Sequence, residues 1–176
     1  MKARRARPED AAEIHALISG YAAQGLLLPR TEQEIAEHIA RFLVLVEKDA
    51  ETVVEKLAGC VALEPYGPDL AEIRSLAVDP AIRGRGLGAR LLRFALVTAR
   101  RRKIARIFAV THVPEFFGRQ GFAAFSRRAL PEKIERDCRT CPKARSCELV
   151  AVIATVCPER VALPVLAGAG KLAPAL

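Results

Sequence analysis

The chain has 176 residues, 51% of them apolar and 27% charged, which suits one well-buried domain and excludes disorder, collagen-like repeats and low-complexity architecture. Glu9 and Asp10 stand where a signal peptide needs an apolar stretch, and residues 149–170 are broken by Pro158, Glu159, Arg160 and Pro164, short of the ~20 clean residues of a membrane span; a soluble, cytoplasmic protein is expected. The net charge of +8 is concentrated in residues 80–114, which hold nine basic residues and no acidic one, leaving 19 basic and 20 acidic residues elsewhere.

Residues 2–7 read as a short strand. Pro8, Glu9 and Asp10 make a typical first helical turn, and Ile14, Leu17 and Ile18 give the apolar face of a helix over about 8–23. Gly25 and Pro29 break it, and Thr31 with Glu34 forms a capping box for a helix carrying Ile35 and Ile39. Residues 42–46 and 52–63 are strand-like and, joined by the polar turn 47–51, predict a hairpin. Pro65, Gly67 and Pro68 mark a turn before a strand over 70–78, ended by Asp79 and Pro80. From Leu87 to about Arg102, the residues Leu87, Leu91, Phe94, Ala95 and Val97 cover the broad face of a helix lying on a sheet. A strand over 104–111, a short helix over 114–120, a strand over 122–126, a helix from near Pro131 and a strand over 148–156 follow. The order predicts one mixed α/β domain over 1–157 with a central β-meander and no internal repeat, then a poorly specified tail over 158–176.

The segment Asp79-Pro80-Ala81-Ile82-Arg83-Gly84-Arg85-Gly86-Leu87-Gly88 lies between a strand and the long helix. Glycines at 84, 86 and 88 let successive backbone N–H groups turn towards one point, and the helix N-terminus adds partial positive charge, so the turn can cradle phosphate. One cationic segment beside such a turn suits a phosphorylated cofactor, whereas duplex binding usually draws a basic face from several elements; Arg100, Arg101, Arg102 and Lys103 read as a solvated helix end. The spacing departs from a dinucleotide fingerprint, residues 102–108 offer no acid for a ribose, and no Gly-Lys-Ser/Thr exists, which disfavours nicotinamide cofactors and a nucleotide P-loop. Any tight strand-to-helix turn also favours glycine.

Residues 73–88, with Leu76-Ala77-Val78-Asp79-Pro80 and Arg83-x-x-Gly86-x-Gly88, resemble the acetyl-CoA site of the GNAT superfamily of N-acetyltransferases, and Phe116-Phe117-Gly118-Arg119-Gln120-Gly121-Phe122 resembles the helix and strand that follow it there. The resemblance covers about residues 2–154. It implies a GNAT-type mixed, mostly antiparallel, splayed β-sheet flanked by helices on both faces, with the pantetheine arm between two parting strands and no metal in the chemistry. It further implies an acetyl-CoA site made of Leu76, Ala77, Val78, Arg83, Gly84, Arg85, Gly86, Leu87, Gly88 and Phe117, with the thioester carbonyl held by the main-chain N–H of Leu76 or Ala77, an oxyanion donor in function. Direct amine attack requires a proton acceptor, for which Glu72 is the candidate; a carboxylate paired with Arg74, two residues on along the same strand face, is the alternative. The tyrosine that often protonates the leaving thiolate in this superfamily corresponds to Phe117. The thiolate then leaves unassisted, takes a proton from water, or uses another residue such as His112, which is equally readable as surface decoration.

Three stretches resemble the short N-acetylglutamate synthases: Leu27-Leu28-Pro29-Arg30-Thr31, residues 71–78, and Leu130-Pro131-Glu132-Lys133-Ile134 through Asp137-Cys138 to Cys141 and Cys147. This implies acetylation of the α-amine of L-glutamate at the start of arginine biosynthesis. A dicarboxylate needs two cationic anchors, and Arg30 and Arg74 are the candidates, with a solvated loop arginine and the Glu72 pair as their plain alternatives. The chain is short for the amino-acid kinase domain of larger members, so that form of feedback control is not expected. The competing readings are a GNAT acting on another amine or a protein N-terminus, an acetyl-CoA-sensing module, and a nucleic-acid binder. A small amino acid is the expected partner, no membrane is expected, and a homodimer is left open.

Of five cysteines, Cys60 reads as a small core hydrophobe. Cys138-x2-Cys141-x5-Cys147, with Cys157 as a fourth, loosely resembles a zinc set without standard knuckle spacing; reduced thiols or a local disulfide are the alternatives.

Overall fold

A computed structural model describes residues 1–48, 55–141 and 147–161. The strands β1 (Lys2–Arg5), β2 (Phe42–Lys48), β3 (Glu55–Pro65), β4 (Leu70–Val78), β5 (Arg106–Thr111), β6 (Ala123–Phe125) and β7 (Val150–Thr155) form one sheet in the order β1-β2-β3-β4-β5-β7-β6. All neighbours are antiparallel except β4 and β5.

The central strands are apolar on both faces because helices cover both. On one face, Ile14 and Ile18 of α1 (Ala11–Ala22) and Ile35 of α2 (Glu32–Glu37) pack with Phe42, Val44, Val46 and Cys60. On the other, Leu91, Leu92, Ala95 and Ala99 of α3 (Leu87–Arg101) pack with Leu43, Leu45, Val61 and Leu63. Each large aliphatic buried this way contributes roughly 1.5–3 kcal/mol. The splayed, helix-flanked sheet is the expected architecture, with differences at element ends. The first helix is preceded by a 3₁₀ turn, Pro8–Asp10, and the capping box of α2 is present, Glu34 N–H donating to Thr31 Oγ1 at 3.1 Å and Thr31 N–H to Glu34 Oε2 at 2.8 Å. Glu47 and Lys48 extend β2 rather than starting a turn, and the expected strand start at Thr52 lies outside the described residues. Of the expected tail, Pro158–Arg160 forms a 3₁₀ turn and 162–176 lie outside the described residues. No helix among the described residues is long and apolar enough to cross a membrane.

Two irregularities open the sheet. Strands β4 and β5 pair only through Leu70, Ala71 and Glu72 with Arg106, Ile107 and Phe108, and then part. In the β3–β4 ladder Ala62 faces Arg74 but Cys60 faces Ala77, so Ser75 and Leu76 together oppose Val61 as a bulge, with Ser75 in the left-handed region at φ 49°. A close approach sits beside it: a Cβ on Gly59 would come within 2.7 Å of the Ala77 carbonyl oxygen.

Candidate active site

The loop after β4 is built to turn sharply and leave its amides open. Asp79 donates its N–H to the Ala58 carbonyl at 2.9 Å, and its side chain accepts from Ala81 N–H at 2.9 Å to start the turn Pro80–Ile82. Gly84 and Gly86 then adopt φ values of 81° and 70°, a region where a Cβ costs roughly 1–2 kcal/mol. Gly88 corrects the expectation of three bending glycines. It lies inside the first turn of α3, where a Cβ would make ordinary contacts with Phe116 at 3.6 Å and Val78 at 4.0 Å. The first helical bond runs from Arg90 N–H to Gly86 at 3.1 Å, and among the described residues the N–H groups of 83–89 donate to no protein acceptor. Such a set of donors at the positive end of a 15-residue helix suits an anion.

Arg83 is held rather than free. Its Nε donates to the Tyr21 hydroxyl at 2.9 Å, its guanidinium lies 4.8 Å from the Tyr21 ring centroid, and that hydroxyl donates to the Val78 carbonyl at 2.5 Å. Tyr21 was not singled out from the sequence: it follows Ile14 and Ile18 at helical spacing and reads as core. Arg85 is exposed beside the loop, and Leu87 is buried beneath it. Leu76, Ala77 and Val78 lie along the β4 edge that, among the described residues, has no strand partner after Glu72, and this edge runs directly into the loop.

Below the loop, the middle of β4 carries a buried charged cluster. Glu72 is 3% exposed; it accepts from Arg74 Nε at 2.9 Å and Lys133 Nζ at 2.9 Å, and the Tyr66 hydroxyl lies 2.9 Å away with its single proton contested by Asp137. Of the two readings of Glu72, the pair with Arg74 is therefore present. Asp137 accepts from Arg74 at 2.8 Å, from Lys133 at 2.8 Å and from the Tyr66 hydroxyl. Burial works against ionisation of Asp137, but the Lys133 and Tyr66 hydrogen bonds and the Arg74 charge outweigh it and hold its carboxyl at about 2. Burial, the Glu72 charge and the Asp137 contact push the Tyr66 hydroxyl far above its ordinary range. Glu64 joins from β3, paired with Arg41 at 2.5 Å and Arg136 at 3.0 Å.

Arg30 reaches the same face of the sheet. Its guanidinium lies 5.8 Å from the Phe42 ring centroid, and Phe42 pairs with Ala62, which in turn faces Arg74. Burial and the positive charge of Arg74 lower its pKa, and among the described residues it has no carboxylate within ion-pair distance. Five cations (Arg30, Arg41, Arg74, Lys133, Arg136) thus face three carboxylates here.

Phe117, from α4 (Pro114–Gly118), is buried, edge-on to Phe116 at 5.1 Å and Phe122 at 5.3 Å, while Phe116 is the ring that lies against Gly88. His112 is exposed in the loop between β5 and α4. All five cysteines are unpaired thiols. Cys157 does not join the other C-terminal cysteines as a fourth member: it is buried in the α3-side core, its thiol 3.8 Å from the Arg100 carbonyl. Among the described residues no group of three His, Cys, Asp or Glu is arranged to hold a metal ion.

A family model described as the Acetyltransferase (GNAT) family matches residues 10–122. An N-acetyltransferase of Chlorobaculum tepidum, itself uncharacterized, is 36% identical over 153 residues, 87% of this chain and 95% of that protein. The amino-acid acetyltransferase of Mycobacterium tuberculosis is 38% identical over 119 residues, 68% of this chain and 66% of that protein. Among solved structures, N-acetylglutamate synthase of Neisseria gonorrhoeae, complexed with coenzyme A and N-acetyl-glutamate, matches with a TM-score of 0.77 at 31% identity, covering 88% of this chain and 35% of that one. The chain therefore spans about a third of the gonococcal synthase. Since the family match takes in both parting strands and the amide-rich loop between them, the chain belongs to the GNAT family of acetyltransferases, and it is an acyltransferase.

Proposed function

We propose that the protein transfers the acetyl group of acetyl-CoA to the α-amine of L-glutamate, the entry reaction of arginine biosynthesis. The observation that carries this reading is that one strand, β4, runs from a partly uncompensated guanidinium pair, Arg30 and Arg74, into a loop whose N–H groups have no protein acceptor. Diphosphate on the 83–88 amides would lay the pantetheine along the open β4 edge, past Val78, Ala77 and Leu76, with Phe117 in the wall behind. The bulge at Ser75 frees this part of the strand from regular pairing, so a Leu76 or Ala77 amide can face the thioester carbonyl and stabilise the charge that develops on it.

The acceptor lies towards the charged cluster. With its amine neutral, glutamate carries two negative charges, matching the excess of two cations there. The gonococcal synthase, solved with N-acetyl-glutamate, supports the same substrate class. Glu72 is neutralised by two cations, so its part is to hold Arg74, and the ammonium proton passes to solvent in the cleft. Attack by the amine breaks the thioester; with phenylalanine at position 117, the departing thiolate takes its proton from water.

Release of free CoA thiol across a panel of amino acids tests the reading. Turnover with L-glutamate well above all others is expected, and silence with glutamate beside turnover of another amine overturns it.

A further inference from the structure

We propose that Cys147 is an oxidant-sensitive thiol that forms a reversible disulfide with Cys138 or Cys141. These three cysteines, far apart from the other two in their surroundings, line one cavity of about 230 Å³ together with Arg127, Arg128 and Ile134. The Arg127 guanidinium donates to the Cys147 sulfur at 2.7 Å, a contact that favours the thiolate. Burial opposes ionisation of Cys147, but the Leu149 N–H, the Arg127 hydrogen bond and the charges of Arg127 and Lys133 outweigh it and lower its pKa. Cys60 is the internal contrast: fully buried, its thiol is pushed up to about 12. Cys138 and Cys141 are held in one turn by the Cys141 N–H to Cys138 carbonyl bond at 3.3 Å, and all three thiols of the cavity are half-buried, within reach of a small oxidant. Two arginines on the wall oppose a metal cation.

The chemistry balances with a hydroperoxide as oxidant. The Cys147 thiolate attacks the peroxide oxygen; the O–O bond breaks, water or an alcohol leaves after taking up a proton, and Cys147 becomes a sulfenic acid. The Cys138 or Cys141 thiolate then attacks that sulfur, expelling hydroxide as water and closing the disulfide. A dithiol reductant reverses it.

The site abuts the charged cluster. Cys138 ends the π-helical segment Ile134–Cys138 and directly follows Asp137, which binds Arg74. Drawing Cys138 towards Cys147 would shift Asp137 and loosen Arg74, so the oxidised form should bind the acceptor more weakly, a consequence that rests on the function proposed above.

The test treats the full chain with one to a few equivalents of hydrogen peroxide, with and without a dimedone probe, and maps thiols by peptide mass spectrometry. Loss of two of the five thiols, a non-reducible dimedone adduct at Cys147, and a reducible cross-link from Cys147 to Cys138 or Cys141 are expected. Cys147→Ser should abolish the cross-link, and Arg127→Met, which removes a contact favouring the thiolate, should slow Cys147 alkylation at neutral pH. Cys147 reacting no faster than Cys60, or stoichiometric metal in the purified protein shielding the three thiols, overturns the proposal. The mass readout is independent of turnover: a cross-link without glutamate activity would refute the substrate assignment and leave the thiol site standing.

Discussion

Glu64 of β3 and Glu72 of β4 stand directly opposite each other in the ladder, two buried carboxylates on one face of the sheet. Like charges so placed repel, and they persist because Arg41 and Arg136 neutralise the first while Arg74 and Lys133 neutralise the second. The arrangement fixes Arg74 by two of its nitrogens, Nε on Glu72 and a terminal nitrogen on Asp137, and among the described residues the other terminal nitrogen has no partner.

That remaining donor and Arg30 are predicted to hold the acceptor's carboxylates. Arg30→Ala and Arg74→Lys should each raise the glutamate KM about 10- to 100-fold, the range for losing a charge-assisted contact of about 1.5–3 kcal/mol, with the acetyl-CoA KM little changed. Steady-state kinetics with each substrate varied in turn checks this; unchanged glutamate KM in both variants removes the pair from the site.

Glu72→Gln separates a holding role from a proton-accepting one. The variant should raise the glutamate KM while keeping the shape of the kcat/KM against pH profile. Disappearance of a limb of that profile would return Glu72 to the role of base.

The loop glycines should differ in sensitivity. Gly84→Ala and Gly86→Ala place a Cβ on left-handed backbone and should weaken acetyl-CoA binding and lower thermal stability, each by about 1 kcal/mol or more, whereas Gly88→Ala, in helical backbone with space beside Phe116, should be close to neutral in stability. Thermal melts with and without acetyl-CoA read both effects.

Strong acid should loosen the charged cluster. Asp137 titrates at about 2 in the folded protein, below its ordinary 3.8, so its contribution is present above about pH 4 and lost as pH falls from there towards 2. Stability of the native chain should therefore fall more steeply across this window than that of Asp137→Asn; parallel curves would contradict the assigned pairing.

What the sequence made legible was local. The Asp79-Pro80 stop, the glycine bend, the Thr31 capping box and the amphipathic α3 each depend on residues within a few positions, and each lies where expected. The Glu72–Arg74 pair was readable for the same reason, being two residues apart on one strand face. Partners brought in from afar were not. Lys133 and Asp137 lie one helical turn apart, but they meet Tyr66 and Glu72 only because long-range packing sets the segment 131–138 against β4 and the turn before it. The insertion of β7 between β5 and β6 likewise follows from long-range packing. Spacing also misled where three dimensions decide: Cys157 lies ten residues after Cys147 yet is packed in the opposite core beside the end of α3.

Calorimetric titration of acetyl-CoA into the native chain and into Gly86→Glu bears most directly on the amide cradle. The native chain should give saturable binding at one site per chain, and the variant, with a side chain on left-handed backbone and a negative charge beside the amides, should give none. No heat with the native chain, or equal binding by both, would contradict the account.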